Sequence, residues 1–251
     1  MEELNQDKTV VIYGRHPIVD AIKAEKAFEK IMLLQGTRGE LEVELRKLCR
    51  EFQIPLSMVP KEKLDKMAKG ANHQGVVGFM AVIEYQSLEK VLPTIVEKGE
   101  APLLLLLDNV TDVRNFGAIA RSAEVMGVHA LVVPHKGGAL INSEALKASA
   151  GALSRIPVCR EKTMSGVLDY LGASGVRVVA SDLKGETKIF DVDFKLPTAI
   201  LIGSESEGVN RNFLQRADET FIIPQVGTTD SLNVSVATGV ILYEVLRQRG
   251  V

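Results

Sequence analysis

Three polar segments, each running directly on from an apolar stretch, hold the residue types that could do chemistry. The first, residues 107–128 (LDNVTDVRNFGAIARSAEVMGV), offers the amide of Asn115 and the guanidinium of Arg121. The second, residues 199–209 (AILIGSESEGV), sets the carboxylates Glu205 and Glu207 in a glycine-bounded turn. The third, residues 221–249, carries Ser231 and Asn233 ahead of a long apolar run. A carboxylate in such a turn can do acid/base work; taken alone, Glu205 and Glu207 read first as solvated loop charges. Arg121 likewise reads, by itself, as a solvated surface arginine.

Each segment belongs to an element that would position it. In the first, Asn115 suits a helix N-cap, and Phe116, Ile119, Ala120, Ala123 and Met126 recur at helical spacing with Gly127 as the stop. Arg121 falls roughly 140° around that helix from Phe116, away from the apolar stripe. In the second, a buried strand breaks into the turn at its carboxyl end, where open α/β sheets bind ligands. In the third, Asp230 or Ser231 can cap the last helix, and Arg247 and Arg249 suit its negative end. That helix is apolar nearly all round, which predicts a position between the sheet and another surface, a subunit interface being one candidate. Asn233, beside its first turn, needs a hydrogen-bond partner.

The remainder of the chain divides in two. Through residue 80, apolar runs at 10–13, 31–34 and 75–82 read as strands between amphipathic stretches, a small α/β unit. Residues 83–101 turn mixed and charged, with Pro93 interrupting, and are expected to form a linker, in part helical, between residues 1–82 and residues 102–251. Beyond them, strands are expected at 103–107, 130–133, 177–180, 199–202 and 220–223, separated by helical segments. That alternation predicts a mainly parallel sheet covered on both faces.

With 251 residues and 46% hydrophobic content the chain can bury a sizeable core. No run approaches the roughly 20 apolar residues of a membrane span, and the N-terminus is acidic where a signal peptide is basic, so a cytosolic protein is expected. The net charge of −2, divided as +1 through residue 80 and −3 beyond, is not that of a typical nucleic-acid binder, so any phosphate contact must come from local clusters. The four histidines, His16, His73, His129 and His135, lack metal-ligand spacing, and Cys49 and Cys159 form no CxxC pair, so no metal site is expected. GxGxxG, GxxxxGK[ST], GxSxG and HExxH are all absent, which removes the nucleotide and hydrolase readings those motifs carry.

The three segments, in this order and spacing, closely resemble the signature motifs of the SpoU (TrmH) family of RNA ribose 2′-O-methyltransferases, within the SPOUT superfamily. The stretches YGRHPIVDAI and NHQGVVG resemble the subfamily that methylates a guanosine in the peptidyl-site loop of 23S ribosomal RNA. The resemblance implies a homodimer, an α/β catalytic domain with a deep trefoil knot, and a small ribosomal-protein-like RNA-binding domain ahead of it. It implies S-adenosylmethionine held by main-chain groups of Gly203, Ile223 and Leu232, with Asn115, Arg121, Glu205, Ser231 and Asn233 at the family's polar active-site positions. Arg15, Asn72, His73 and Gln74 are the expected RNA contacts, the alternative being an ordinary helix cap and turn. Lys61, Lys63, Lys66 and Lys69 read as a solvated helix face before an RNA-binding one. Arg121 is expected to stabilise alkoxide charge and grip a phosphate, and Glu205 to orient Arg121 or take the hydroxyl proton. Transfer RNA or another ribosomal nucleotide is the alternative substrate, and a non-catalytic RNA-binding assembly factor the alternative class.

Overall fold

The computed structural model describes residues 10–135, 137–139 and 141–250. The chain forms two compact units, Met1–Glu84 with Ile141–Ser143, and Tyr85–Leu140 with Glu144–Val251.

In the first unit, β1 (Val11–Tyr13), β2 (Phe28–Leu34), β3 (Leu56–Val59) and β4 (Val76–Met80) make one sheet in the order β1-β4-β2-β3. The β1–β4 and β4–β2 pairs are antiparallel, and β2–β3 is parallel. Period-two alternation splits β2 between two cores. Ile31 and Leu33 pack with α1 (Arg15–Lys23) and α2 (Glu40–Glu51), while Met32 packs with Leu64 of α3 (Lys61–Ala68) on the opposite face. Strand β3, which the sequence pattern did not mark, is four residues long and only partly buried, too short for alternation to stand out.

The second unit has β5 (Tyr85–Gln86), α4 (Leu88–Glu97), β6 (Leu103–Leu107), α5 (Val113–Val125), β7 (Ala130–Pro134), α6 (Ser143–Ala148), β8 (Val158–Glu161), α7 (Met164–Ala173), β9 (Arg177–Ser181), β10 (Thr187–Lys188), β11 (Thr198–Ile202), α8 (Arg211–Leu214), β12 (Glu219–Ile222) and α9 (Val234–Arg249). Its eight strands run in the order β10-β12-β9-β11-β6-β7-β8-β5, every neighbouring pair parallel. The expected parallel sheet is present, and its central strands β6 and β11 are buried at every position. Leu104 and Leu106 face a core completed by α4 and α7. Their alternate neighbours Leu103, Leu105 and Leu107 are buried on the other side, where α5 and α9 pack against each other.

Residues 83–101, expected as a partly helical linker, do carry a helix, but β5 and α4 belong to this unit and do not merely connect the two. Leu88, Val91, Leu92 and Ile95 lie in its core, and α4 runs on through Pro93. A proline inside a helix costs about 3 kcal/mol, whereas four buried aliphatic side chains contribute about 1.5–3 kcal/mol each, so burial outweighs the break. Helix α9 is buried along one side only: Val234, Thr238, Ile241, Leu242 and Val245 are covered, but Val236, Val240 and Tyr243 stand exposed. Both cysteines are buried, which pushes the Cys49 thiol up to about 11 and Cys159 up to about 12, so neither is poised to react. Among the described residues no helix is long and apolar enough to cross a membrane, and no group of three or more His, Cys, Asp or Glu is placed to hold a metal.

Because Leu92 is 2% exposed within that core, Leu92→Ala should cost about 2–5 kcal/mol of unfolding free energy by denaturant titration. A loss below about 0.5 kcal/mol, as at a solvated surface position, would return α4 to the role of a linker.

Candidate active site

The polar segments begin where β6, β11 and β12 end. After β6 the chain passes through Asp108 and a left-handed Asn109 to Asp112, whose carboxylate accepts the Asn115 N–H at 2.7 Å and caps α5. The cap is therefore Asp112 and not Asn115. A full negative charge at the positive helix end outcompetes a neutral amide three residues on, and Asn115 moves into the first turn with its side chain turned to other partners.

After β11 the chain doubles back on itself. Ser204 and Gly208 exchange two backbone hydrogen bonds, of 3.2 and 3.0 Å. The backbone of Gly208 and Val209 then lies so close over Gly203 that a Cβ there would collide with it, so only glycine fits. Asp108, 4% exposed, anchors the far end: its Oδ2 accepts the Asn210 N–H at 2.9 Å, and its own N–H reaches Ile202 O at 2.8 Å. Burial pushes the Asp108 carboxyl above the ordinary range; the Asn210 bond opposes this and the nearby Glu207 charge adds to it.

Asn233 caps α9, in place of the expected Asp230 or Ser231. Its Oδ1 accepts from Ser235 N at 2.9 Å and Val236 N at 3.4 Å, which a residue two or three positions further upstream cannot reach in that way. Its Nδ2 faces the other way and donates to Asn115 Oδ1 at 3.0 Å and to Glu205 Oε1. Glu205 Oε1 also accepts from Asn115 Nδ2 at 3.1 Å and Val234 N at 3.3 Å. The partner that Asn233 required is thus a carboxylate 28 residues away in sequence, and all three segments meet at one oxygen atom.

Two cavities flank this cluster. The larger, about 390 Å³, is walled by the loop from Gly203 to Gly208, by Ile222 at the end of β12 and Ile223 just past it, by Ser231, Leu232, Val234 and Ala237, and by Arg211 and Leu214. The smaller, about 160 Å³, is lined by residues 109–112 and Asn115, and shares Ser204, Glu205, Ser206 and Val234 with the first. Glu205 therefore stands in the wall between them. Ser181, Asp182, Leu183 and Lys184, at the end of β9, also line the larger cavity. The sequence pattern did not single them out, although Ser181, Asp182 and Lys184 obey the same rule: polar residues at the carboxyl end of a buried parallel strand.

Of the expected active-site residues, Asn115, Glu205 and Asn233 are joined directly, and Ser231 lies on the larger cavity with Gly203, Ile223 and Leu232. Arg121 is apart from them. It is exposed on α5, lines neither cavity, and makes no side-chain hydrogen bond or ion pair to a described residue. Glu205 does not orient it; the two asparagines occupy Glu205 instead. In the first unit, Arg15 and Gln74 are brought together, the Arg15 N–H donating to Gln74 Oε1 at 3.2 Å, with Asn72 exposed alongside in sequence. His73 has both ring nitrogens engaged, Nε2 with Asp65 Oδ1 at 2.8 Å and Nδ1 with the Gly75 N–H at 3.0 Å, so it braces the turn.

Comparison with known proteins agrees with this architecture. The SpoU rRNA methylase family matches residues 102–243, and the domain described as RNA 2′-O ribose methyltransferase substrate binding matches residues 11–86. The chain is 34% identical over 244 residues to an uncharacterized tRNA/rRNA methyltransferase of Mycobacterium sp. strain KMS, covering 97% of this chain and 78% of that protein. It is 32% identical over 238 residues to YacO of Bacillus subtilis strain 168, assigned to the TrmH family of tRNA/rRNA methyltransferases, with 95% of both chains covered. Among solved structures, the SpoU methyltransferase AviRb from Streptomyces viridochromogenes in complex with AdoMet superposes with a TM-score of 0.61 at 26% identity, covering 95% of this chain and 90% of that one. The AdoMet-bound rRNA methyltransferase from Sinorhizobium meliloti gives 0.60 at 26% identity, with 94% and 86% covered. The chain belongs to the SpoU (TrmH) family of RNA methyltransferases, built on the SPOUT fold.

Proposed function

We propose that this protein moves a methyl group from S-adenosylmethionine to the 2′-hydroxyl of a ribose in structured RNA, and that its target is a guanosine in the peptidyl-site loop of 23S ribosomal RNA. The observation that carries the reading is the convergence of the three segments on Glu205, between two cavities. The larger cavity suits the cofactor. Its volume of about 390 Å³ lies within the roughly 300–1,000 Å³ of small-ligand sites. Ile202, Leu214, Ile222 and Ile223 offer apolar walls to a base, and the carboxylates Asp182, Glu205 and Glu207 suit a ligand with sulfonium and ammonium charges. Gly203, Ile223 and Leu232 would hold it through main-chain groups. AdoMet-bound relatives of the same fold support that assignment.

When bound, S-adenosylmethionine supplies an already electrophilic methyl, so the chain's own task is alignment and proton removal. Positioning contributes up to about 7–11 kcal/mol in well-oriented reactions. In this reading the acceptor ribose enters the smaller cavity, beside Asn115. Glu205 Oε1 is held by three donors, which leaves Oε2 to accept the hydroxyl proton; a general base is worth roughly 10²- to 10⁴-fold. Ser231 and Asn233 steady the cofactor loop. Arg121, exposed and without a side-chain partner among the described residues, grips a phosphate of the incoming RNA, which suits an arginine that stays protonated.

Residues 1–82 serve as the RNA-binding domain and residues 102–251 as the methyltransferase domain, to which α4 is added from the segment between them. Arg15 bonds Gln74, which follows Asn72 in the turn before β4, and Lys61, Lys63 and Lys66 on α3 are exposed, as is Lys69 just past its end. A structured loop would be recognised by shape and by splayed bases. The exposed row Val236, Val240 and Tyr243 on α9 suits a homodimer contact, and the knotted threading implied by the family belongs to the same proposal. So does a cytosolic location, which is where ribosomal RNA is processed in bacteria.

Incubation with isotopically labelled cofactor and total RNA, followed by nucleotide mapping, should place the label on a single 2′-O-methylguanosine in 23S ribosomal RNA. Label in transfer RNA or at another ribosomal nucleotide would overturn the target, and no label would overturn the activity. Arg121→Ala should abolish turnover while leaving calorimetric cofactor affinity unchanged. Turnover surviving within about tenfold, a barrier change near 1.4 kcal/mol, would remove Arg121 from the reaction.

A further inference from the structure

Beyond the expected site residues, the larger cavity is lined by a carboxylate that none of the three segments supplies. Strand β9 lies between β11 and β12 in the sheet, so its carboxyl end opens between the Gly203–Gly208 loop and the chain that follows Ile222. Asp182 is the first residue past that end and lines the cavity.

Its carboxylate is held in a closed turn. The Asp182 N–H donates to Phe221 O at 2.9 Å, the Gly185 N–H donates to Asp182 O at 3.0 Å, and the Lys184 N–H donates to Asp182 Oδ1 at 3.1 Å. Gly185 packs so tightly on β12 that a Cβ there would lie 2.8 Å from the Phe221 carbonyl carbon. Lys184 makes no ion pair with Asp182, so Oδ2 keeps its accepting capacity. The other two carboxylates of the cavity are placed differently. Glu205 Oε1 is taken by Asn115, Asn233 and Val234 in the wall shared with the smaller cavity. Glu207 is exposed, on a turn held by the bond from its own N–H to Ser204 Oγ.

We propose that Asp182 reads the ribose of the cofactor, its Oδ2 accepting hydrogen bonds from the sugar hydroxyls. The proposal rests on the assignment of S-adenosylmethionine to this cavity. An ionised carboxylate is an acceptor without donors, and a vicinal diol is a pair of donors, so the two are complementary. Ile202, Ile222 and Ile223, which line the cavity with Asp182, leave the base an apolar wall while the sugar meets the acid. Asp182 thereby selects nucleosides that retain both hydroxyls, and its fixed turn makes the contact without ordering a flexible side chain first.

Calorimetric titration of S-adenosylhomocysteine and of its 2′,3′-dideoxy form tests this with the wild-type protein, Asp182→Asn and Asp182→Ala. The wild type should bind the parent compound and lose about 10- to 100-fold in affinity for the dideoxy form, the range for hydrogen bonds to a charged group. Asp182→Ala should lose a similar factor for the parent and discriminate no further against the dideoxy form, with Asp182→Asn between the two. Equal discrimination by wild type and Asp182→Ala would overturn the role of Asp182 while leaving the cofactor assignment intact. Failure of the wild type to bind either compound would overturn the cofactor assignment, and the role of Asp182 with it.

Discussion

One carboxylate oxygen, Glu205 Oε1, ties together three stretches of chain that are far apart in sequence. It accepts from the side chain of Asn115, the side chain of Asn233 and the main chain of Val234. Hydrogen bonds to a charged acceptor are worth roughly 1.5–3 kcal/mol each, and here each also fixes the direction of a loop. Asn233 sits at the junction of two such constraints, since its carbonyl caps α9 while its amide reaches Glu205 and Asn115. Loss of that one side chain would release a helix end and the wall between the two cavities together.

The bonds at Glu205 are possible because the loop carrying it is held at both ends. Gly203 lets the returning backbone pass over it, and Asp108 catches the Asn210 N–H from beneath. Asp108 is a costly anchor, because burial raises its pKa and so disfavours the charged form that makes the stronger bond. The parallel sheet supplies the platform. With β9, β11, β6 and β12 all ending on one side, their loops have nowhere to converge except above the carboxyl edge.

Much of this was legible in the sequence because buried parallel strands are continuous apolar runs that break sharply into polar turns. The five leucines of β6 and the AILIG of β11 announced both the sheet and the loops that carry Asn115 and Glu205. What stayed hidden was pairing over distance. Asp112 and Asn115 are both cap formers, and only the bond from Asn115 to Glu205, 90 residues on, shows which of them was needed elsewhere. Helix α4 was obscured by Pro93 and by charges on its exposed face, although its buried stripe decides its fate. Asp182 carried no family motif, and its place in the cavity follows from strand order, which sequence periodicity does not report. Arg121 stands exposed on the outer face of its helix, as its place on the helical wheel indicated, and bonds to no described residue.

The central claim is that Glu205 organises both the cofactor cavity and the acceptor site. Single-turnover methylation of ribosomal RNA by Glu205→Ala, at cofactor concentrations made saturating by direct titration, separates these two contributions from simple unfolding. The account predicts that cofactor affinity falls and that the single-turnover rate at saturation drops by about 10²-fold or more, as for removal of a general base. A saturated rate close to that of the wild type, with only the affinity reduced, would contradict it.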